Sequence, residues 1–163
     1  MKAKKLVYSA LIAAMYVALT LVSSAFGLAN GAIQVRLSES LNILPYFTPC
    51  GIWGVTIGCL ISNIITGCHF LDVIFGTLAT LIGVLFTYGV SKLNFKNKKW
   101  LAPVGGIVSN TIIIPLVLTN VYGLKDAMWF LCLTVGLGEI ISCGILGMLL
   151  LFAIEKHTKT LFK

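Results

Sequence analysis

Four apolar runs, each long enough to cross a lipid bilayer, limit what this chain can fold into. They occupy residues 6–29, 72–91, 101–122 and 127–154, and a membrane-spanning α-helix needs about 20 apolar residues. The first run is longer than the roughly 7–15 residues of a signal-peptide core, so we expect it to be retained as a helix. Since 10% of the residues are charged, against about 25% in soluble domains, the sequence predicts an integral membrane protein.

Lysine clusters separate the apolar runs and predict how the chain crosses the bilayer. They comprise Lys2, Lys4 and Lys5; Lys92, Lys96, Lys98 and Lys99; and Lys156, Lys159 and Lys163. Lysine-rich loops stay on the cytoplasmic side. All of these clusters reach that side only if residues 36–67 cross twice, in short spans at 36–47 and 51–67. We therefore predict an all-α bundle of six membrane-spanning helices, a single domain over residues 1–163 with both termini in the cytoplasm.

The turn between the two short spans coincides with Pro45 and Pro49, because proline ends or kinks a helix. Short or broken helices at membrane depth are tolerated only where other protein or a cavity covers their backbone. The region from residue 36 to residue 67 is therefore the first indication of a binding cavity.

Three acids, Glu39, Asp72 and Glu139, lie within or at the ends of apolar segments. An ionisable side chain inside a bilayer is costly and usually functional, so all three are candidate binding residues. Each also has a structural alternative. Glu139 can form a salt bridge with Arg36 or a hydrogen bond to a neighbouring helix. Glu39 shares a helical face with Arg36, three residues before it, and Asp72 suits the N-terminus of its helix.

Two amides, Asn63 and Asn110, also fall in apolar surroundings. An amide side chain offers both donors and acceptors, as recognition of a heterocycle edge requires. The alternative is that both amides form hydrogen bonds between helices.

Small residues recur every four positions in the first run, at Ala10, Ala14 and Ala18. This spacing lets another helix approach closely. The partner helix can belong to this chain or to another subunit, and the spacing alone favours neither.

Enzyme and nucleic-acid functions are disfavoured by what the motifs and charges show. The sequence has no G-x-x-x-x-G-K-[ST] phosphate loop, no metal-ligand spacing and no recognisable nucleophile with a histidine base. We therefore expect no catalysis, no metal and no cofactor.

The net charge of +7 sits in the lysine clusters without interleaved aromatic residues, unlike a base-stacking groove, so we expect no nucleic-acid partner.

Nearly the whole chain resembles the QueT family. The resemblance is carried by "VRLSESLNILPYFTPCGIWGVTIGCLISNIITG", by the following "LDVIFGTLATLIGVLFTYGV", and by the later "VYG" and "VGLGEIISCGILGMLL". Its more specific parts are the R-x-S-E…L-P block and the G-E pair of the last run. The resemblance implies a substrate-binding S-component of an energy-coupling factor (ECF) importer in a prokaryotic inner or plasma membrane.

Such a resemblance implies a substrate, partners and roles for the candidate residues. The substrate class is a queuosine precursor, a 7-deazaguanine base such as 7-aminomethyl-7-deazaguanine or queuine. The partners are the lipid bilayer, a transmembrane coupling subunit that contacts Ala10, Ala14 and Ala18, and two ATPase subunits. The resemblance does not assign the acids to ligand groups, but by hydrogen-bond chemistry Glu39 or Glu139 can accept the N–H groups of such a base while the other acid meets an aminomethyl cation. The remaining candidate binding residues are Arg36, Asn63, Asp72 and Asn110, together with Tyr46, Phe47 and Trp53, whose aromatic rings can stack on a flat base.

Two other functions compete with this interpretation. The chain can be an S-component for another small planar, vitamin-like heterocycle. It can also be a stand-alone secondary carrier, although such carriers often have broken helices at matching positions of two halves, and the interrupted region 36–67 has no clear counterpart in the second half.

Overall fold

The computed structural model describes residues 2–28, 34–123 and 125–161, and within these ranges the protein is helical, without β-strands. The predicted end of the first span at Ala29 lies outside the described residues, as does Lys163 of the last lysine cluster. The α-helices are α1 (Lys2–Ala25), α2 (Cys50–Ile65), α3 (Phe70–Lys92), α4 (Val104–Asn120), α5 (Met128–Glu139) and α6 (Gly147–Leu161).

Three further helical segments connect or separate these helices. A 3₁₀ helix runs from Leu37 to Tyr46 between α1 and α2, and a short 3₁₀ turn, Lys98–Leu101, precedes α4. A π-helical segment, Ile140–Leu146, joins α5 to α6, so that the last apolar run is one continuous helical rod. Because π-helical turns are often found at functional sites, the residues just after Glu139 are a candidate part of such a site.

Four helical stretches are long and apolar enough to cross a membrane: Ala3–Ala25, Phe70–Lys92, Lys98–Asn120 and Met128–His157. These stretches confirm the predicted all-α class with several apolar helices. The number of crossings and the side on which the termini lie stay predictions. Large apolar side chains cover the outside of the bundle, for example Leu6, Phe70 and Trp129, as expected of a surface that contacts lipid.

The two short elements fall within residues 36–67. The 3₁₀ helix has 10 residues, about 20 Å at about 2.0 Å per residue. Helix α2 has 16 residues, about 24 Å at about 1.5 Å per residue. Both are shorter than the roughly 30 Å of a bilayer's hydrocarbon core.

The 3₁₀ helix lies inside the bundle, in contact with α1, α2, α3, α6 and the π-helical segment. Its residues from Ser38 to Pro45 are buried apart from Ser40, which is partly buried. Runs of 3₁₀ helix longer than three or four residues are uncommon because their hydrogen bonds are poorer. Contacts with the surrounding helices therefore hold this segment in place and enclose its polar side chains.

Glycines allow the closest helix crossings in the bundle. A Cβ added at Gly58 would lie 2.7 Å from the Cβ of Tyr16, where α2 packs on α1. A Cβ added at Gly83 would lie 2.8 Å from the Cα of Gly106, where α3 packs on α4. These contacts draw the middles of α1, α2, α3 and α4 together around the buried 3₁₀ helix.

Candidate functional site

The carboxylate of Glu39 is the centre of a buried hydrogen-bond network. Its Oε1 accepts a hydrogen bond from the hydroxyl of Tyr16 on α1. Its Oε2 accepts from the amide of Asn42, one turn further along the 3₁₀ helix, and from Asn110 on α4, with 3.4 Å between Nδ2 and Oε2. Glu39 is 2% exposed. A buried carboxylate needs such donors, and three different elements supply them.

Glu139 lies beside this network at the end of α5. Its side chain interacts with Asn110 and lies close enough to Glu39 for the two carboxyl groups to interact electrostatically. It is 9% exposed, and its Oε2 has no hydrogen-bond partner among the described residues. A buried oxygen without a donor is unfavourable by about 1–3 kcal/mol. The oxygen is therefore poised to accept a hydrogen bond from a bound molecule.

Two more acceptors near Glu139 lack donors in the described part of the chain. They are Oδ1 of Asn42 and Oγ of Ser142, and both side chains are fully buried. Asn42 lies next to Gly106 on α4, since a Cβ added there would be 3.1 Å from its Nδ2. The same Cβ would be 2.9 Å from Sγ of Cys143, so α4 and the π-helical segment enclose this side of the cluster.

Arg36 and Asn63 form a second part of the site. Nη1 of Arg36 donates a hydrogen bond to Oδ1 of Asn63 on α2, at 3.2 Å. Nδ2 of Asn63 in turn donates a hydrogen bond to Sγ of Cys59, at 3.5 Å. Arg36 thus reaches across from the start of the 3₁₀ helix to α2, next to the Glu39 network.

Asp72 and Asn63 both lie against Gly76. A Cβ added at Gly76 would lie 3.2 Å from Nδ2 of Asn63 and 3.6 Å from Oδ1 of Asp72. Oδ2 of Asp72 accepts a hydrogen bond from the hydroxyl of Tyr122, at 2.8 Å. Asp72 therefore occupies one end of the polar cluster, at the start of α3.

Tyr122 links the segment after α4 to the start of α3 through two hydrogen bonds. Its hydroxyl accepts a hydrogen bond from the backbone N–H of His69, at 3.0 Å, while it donates to Asp72. Partial burial raises the pKa of Tyr122 to about 12, and the neighbouring Asp72 contributes in the same direction. The neutral hydroxyl therefore persists at physiological pH and links the segment after α4 to the segment before α3.

The segment that leads to Arg36 is positioned by a close approach to α5. A Cβ added at Gly138 would lie 1.8 Å from the backbone oxygen of Gln34. Only glycine leaves room for this contact, and Gly138 is adjacent to Glu139. The glycine of the G-E pair in the last apolar run thus lets the segment before Arg36 pack directly on α5, one residue before Glu139.

The structure brings most of the sequence-predicted polar residues together. Around Glu39 it places Glu139 and Asn110, and beside them Arg36 and Asn63. Asp72 joins at the Gly76 end. These residues come from the 3₁₀ helix and its leading segment, α2, α3, α4 and α5.

The predicted aromatic residues lie elsewhere. Tyr46 and Phe47 pack against a separate apolar cluster that contains Ala102, Met148 and Leu151. Trp53 is 65% exposed and borders a groove of about 520 Å³ whose lining does not include any residue of the polar cluster. The structure therefore does not bring these rings into the polar cluster, and their stacking role stays a prediction.

Ala10, Ala14 and Ala18 lie on an exposed face of α1. The opposite face buries Ile12 and Tyr16 in the bundle. The described part of the chain leaves this alanine face open, which leaves room for a partner outside it.

Sequence reasoning missed Tyr16 and Asn42 as parts of the site. Tyr16 falls in an apolar run, where a tyrosine is easily interpreted as a lipid-facing or interface residue. A signal existed for Asn42, since it lies three residues after Glu39, within reach on a helical turn. Among the described residues, no group of three or more His, Cys, Asp or Glu side chains could hold a metal ion.

Comparison with known proteins places the chain among membrane transporters. The model of the family described as "QueT transporter" matches residues 6–156. The Queuosine precursor transporter QueT of Lactococcus lactis subsp. cremoris (strain MG1363) is 42% identical over 81 residues, which is 50% of this chain and 47% of that protein. The aligned region thus spans about half the length of this relative. No solved structure shows a significant match.

Proposed function

Because the chain belongs to the QueT transporter family, we propose that it captures a queuosine precursor outside the cell as the S-component of an ATP-driven ECF importer. Membership of a transporter family confirms the prediction that the chain is not an enzyme. It also agrees with a multi-pass membrane protein built from apolar helices. The relative's name specifies a queuosine precursor, and the proposal extends that substrate class to this chain.

The observation that carries the proposal is the buried cluster of carboxyl and amide groups around Glu39 and Glu139. A 7-deazaguanine base presents N–H donors at N1 and at its exocyclic amine, together with a carbonyl acceptor. Carboxylates accept such paired donors, and hydrogen bonds to charged groups are the stronger kind. Amides such as Asn63 and Asn110 offer donors for the carbonyl. The site contributed by this chain is Arg36, Glu39, Asn63, Asp72, Asn110 and Glu139.

Binding to the detergent-purified protein tests the substrate class. We expect 7-aminomethyl-7-deazaguanine to bind with a heat signal in calorimetry, and Glu39→Gln to weaken binding by about 1–3 kcal/mol, the scale of one hydrogen bond to a charged group. The matched control is Glu155→Gln, because Glu155 pairs with Lys99 far along α6, at 3.0 Å. Equal or tighter binding of an unrelated planar vitamin would point to a different substrate.

The proposed partners are a transmembrane coupling subunit and two ATPase subunits. The exposed face at Ala10, Ala14 and Ala18 supports docking of the coupling subunit, since small residues let helices approach closely. We expect Ala14→Leu to abolish co-purification with co-expressed coupling and ATPase subunits while leaving ligand binding intact. Ala153→Leu, at an exposed position of α6, is the matched control. If the wild-type chain transports its ligand without those subunits, it is a stand-alone carrier instead.

A further inference from the structure

The polar cluster contains more negative than positive side chains. Glu39, Asp72 and Glu139 are all buried, whereas Arg36 is the cationic side chain close enough to interact with Glu39 and Glu139. The lysines of the described residues lie at helix ends, in connections or near the termini. One guanidinium balances the charge of at most one carboxyl group, so a second or third can ionise there only with a further cation nearby. Uncompensated charge at membrane depth is costly, so the cluster favours a bound group that brings positive charge.

The hydrogen bonds show which carboxyl group is available to that bound group. Both oxygens of Glu39 already accept hydrogen bonds, from Tyr16, Asn42 and Asn110. Oε2 of Glu139 accepts none from the described residues, although its side chain is more than nine-tenths buried. Two further atoms have no partner among the described residues: Oδ1 of Asn42, whose amide donates to Glu39, and Oγ of Ser142, three residues after Glu139. An acceptor-rich surface of this kind matches a ligand group with several N–H donors.

We propose that Glu139 is the counter-ion for a protonated amine on the ligand, so that the protein selects cationic over neutral 7-deazaguanines. An ammonium group has donors for Glu139 and for the neighbouring acceptors, and its charge offsets that of the cluster. The other carboxylate, Glu39, is fixed in place by Tyr16, Asn42 and Asn110 and faces the N–H groups of the base, as in the proposed function. This inference rests on the proposed function and adds the charge of the ligand to it.

The test compares two ligands that share the base and differ in charge. These are 7-aminomethyl-7-deazaguanine and its neutral 7-hydroxymethyl analogue, which has nearly the same size. Calorimetry on the detergent-purified full chain at neutral pH should show about tenfold or greater preference for the aminomethyl compound, as expected for a charge-assisted hydrogen bond over a neutral one.

Two variants then locate the preference. Glu139→Gln should bind the hydroxymethyl compound about as well as the wild type does and lose most of the preference for the amine. Glu155→Gln, whose site lies outside the cluster, should keep the wild-type preference. A structural defect alone would weaken both ligands by the same factor and leave their ratio unchanged.

The outcomes of these binding measurements distinguish failure of the inference from failure of the proposed function. Equal affinity of the wild type for both compounds overturns the inference and leaves the proposed function standing. Loss of both ligands in equal proportion in Glu139→Gln shows that Glu139 does not distinguish the amine from the hydroxyl, which also overturns the inference. Failure of both compounds to bind the wild type removes the proposed function, and the inference with it.

Discussion

At the scale of single residues, the site depends on how a carboxylate is held inside an apolar bundle. Glu39 is tolerated because donors from α1, from its own 3₁₀ helix and from α4 converge on its two oxygens. Each donor also fixes the orientation of the carboxylate. The packing of α1 against the 3₁₀ helix is therefore coupled directly to the geometry of the site.

Tyr16→Phe tests this coupling. The substitution keeps the ring in the core but removes one donor from the Glu39 carboxylate, so that a buried oxygen loses its partner. We expect the melting temperature in detergent to fall and ligand affinity to drop, each by the equivalent of about 1–3 kcal/mol. Both are measured on the purified protein, by thermal unfolding and by calorimetry.

Tyr8→Phe is the control, since Tyr8 lies on the same helix with an exposed side chain. Tyr8→Phe should change neither the melting temperature nor the ligand affinity. Wild-type affinity in Tyr16→Phe would show that the Tyr16 hydroxyl does not position Glu39 for binding.

At the scale of elements, the sequence predicted where helices occur better than how their side chains are directed. Prolines and the length of the apolar runs indicated two short segments within residues 36–67, and the structure has a 3₁₀ helix and α2 there. Ionisable and amide residues in apolar runs indicated Arg36, Glu39 and Glu139 because burying such groups requires partners. That physical rule works without knowledge of the fold.

The remaining site features follow from tertiary packing, which no local pattern contains. The roles expected of Tyr46, Phe47 and Trp53 came from their closeness in sequence to Glu39. In the structure the 3₁₀ helix carries Tyr46 and Phe47 past the polar cluster to the apolar cluster at Met148, and Trp53 points outward from α2. Tyr16 enters the site only because α1 crosses the 3₁₀ helix at its level.

Gly138→Ala tests the contact between elements that shapes the site. The added Cβ would lie 1.8 Å from the backbone oxygen of Gln34, so the segment before Arg36 must move away from α5. We expect ligand affinity to fall by about tenfold or more, because small displacements of binding groups cost much of their interaction. Calorimetry measures this effect.

Gly89→Ala is the matched control, because nothing lies within 4 Å of a Cβ added there. It should leave binding unchanged and stabilise α3 slightly, since alanine favours a helix by about 1 kcal/mol over glycine. If Gly138→Ala binds as tightly as Gly89→Ala, the close approach at Gln34 is not required for the site.

At the scale of the whole molecule, the contacts place three segments rich in lysine at one end of the bundle. Ser9, near the start of α1, donates a hydrogen bond to the backbone oxygen of Cys50, where α2 begins. Lys99, before α4, pairs with Glu155, toward the end of α6. The apolar cluster that contains Tyr46, Ala102 and Met148 then joins the end of the 3₁₀ helix to the same region.

Six crossings with both termini on the cytoplasmic side stay a prediction, and single introduced cysteines test it. A membrane-impermeant maleimide added to intact cells should label Lys125→Cys, in the connection between α4 and α5, and should not label Lys96→Cys, in the connection between α3 and α4. Permeabilising the cell membrane should make Lys96→Cys reactive toward the same maleimide. Both positions are exposed, so their reactivity reports the side of the membrane and not burial.

The protein without an introduced cysteine is the control for background labelling, since its own Cys68 and Cys132 are partly exposed and unpaired. Labelling of Lys96→Cys in intact cells would reverse the orientation and place the lysine clusters outside, against the charge bias that governs membrane insertion. With the expected result, Asp72 and Tyr122 lie at the outer end of the polar cluster, because α3 starts and α4 ends on that side. A ligand arriving from outside then meets Asp72 before it reaches Glu139 at mid-membrane.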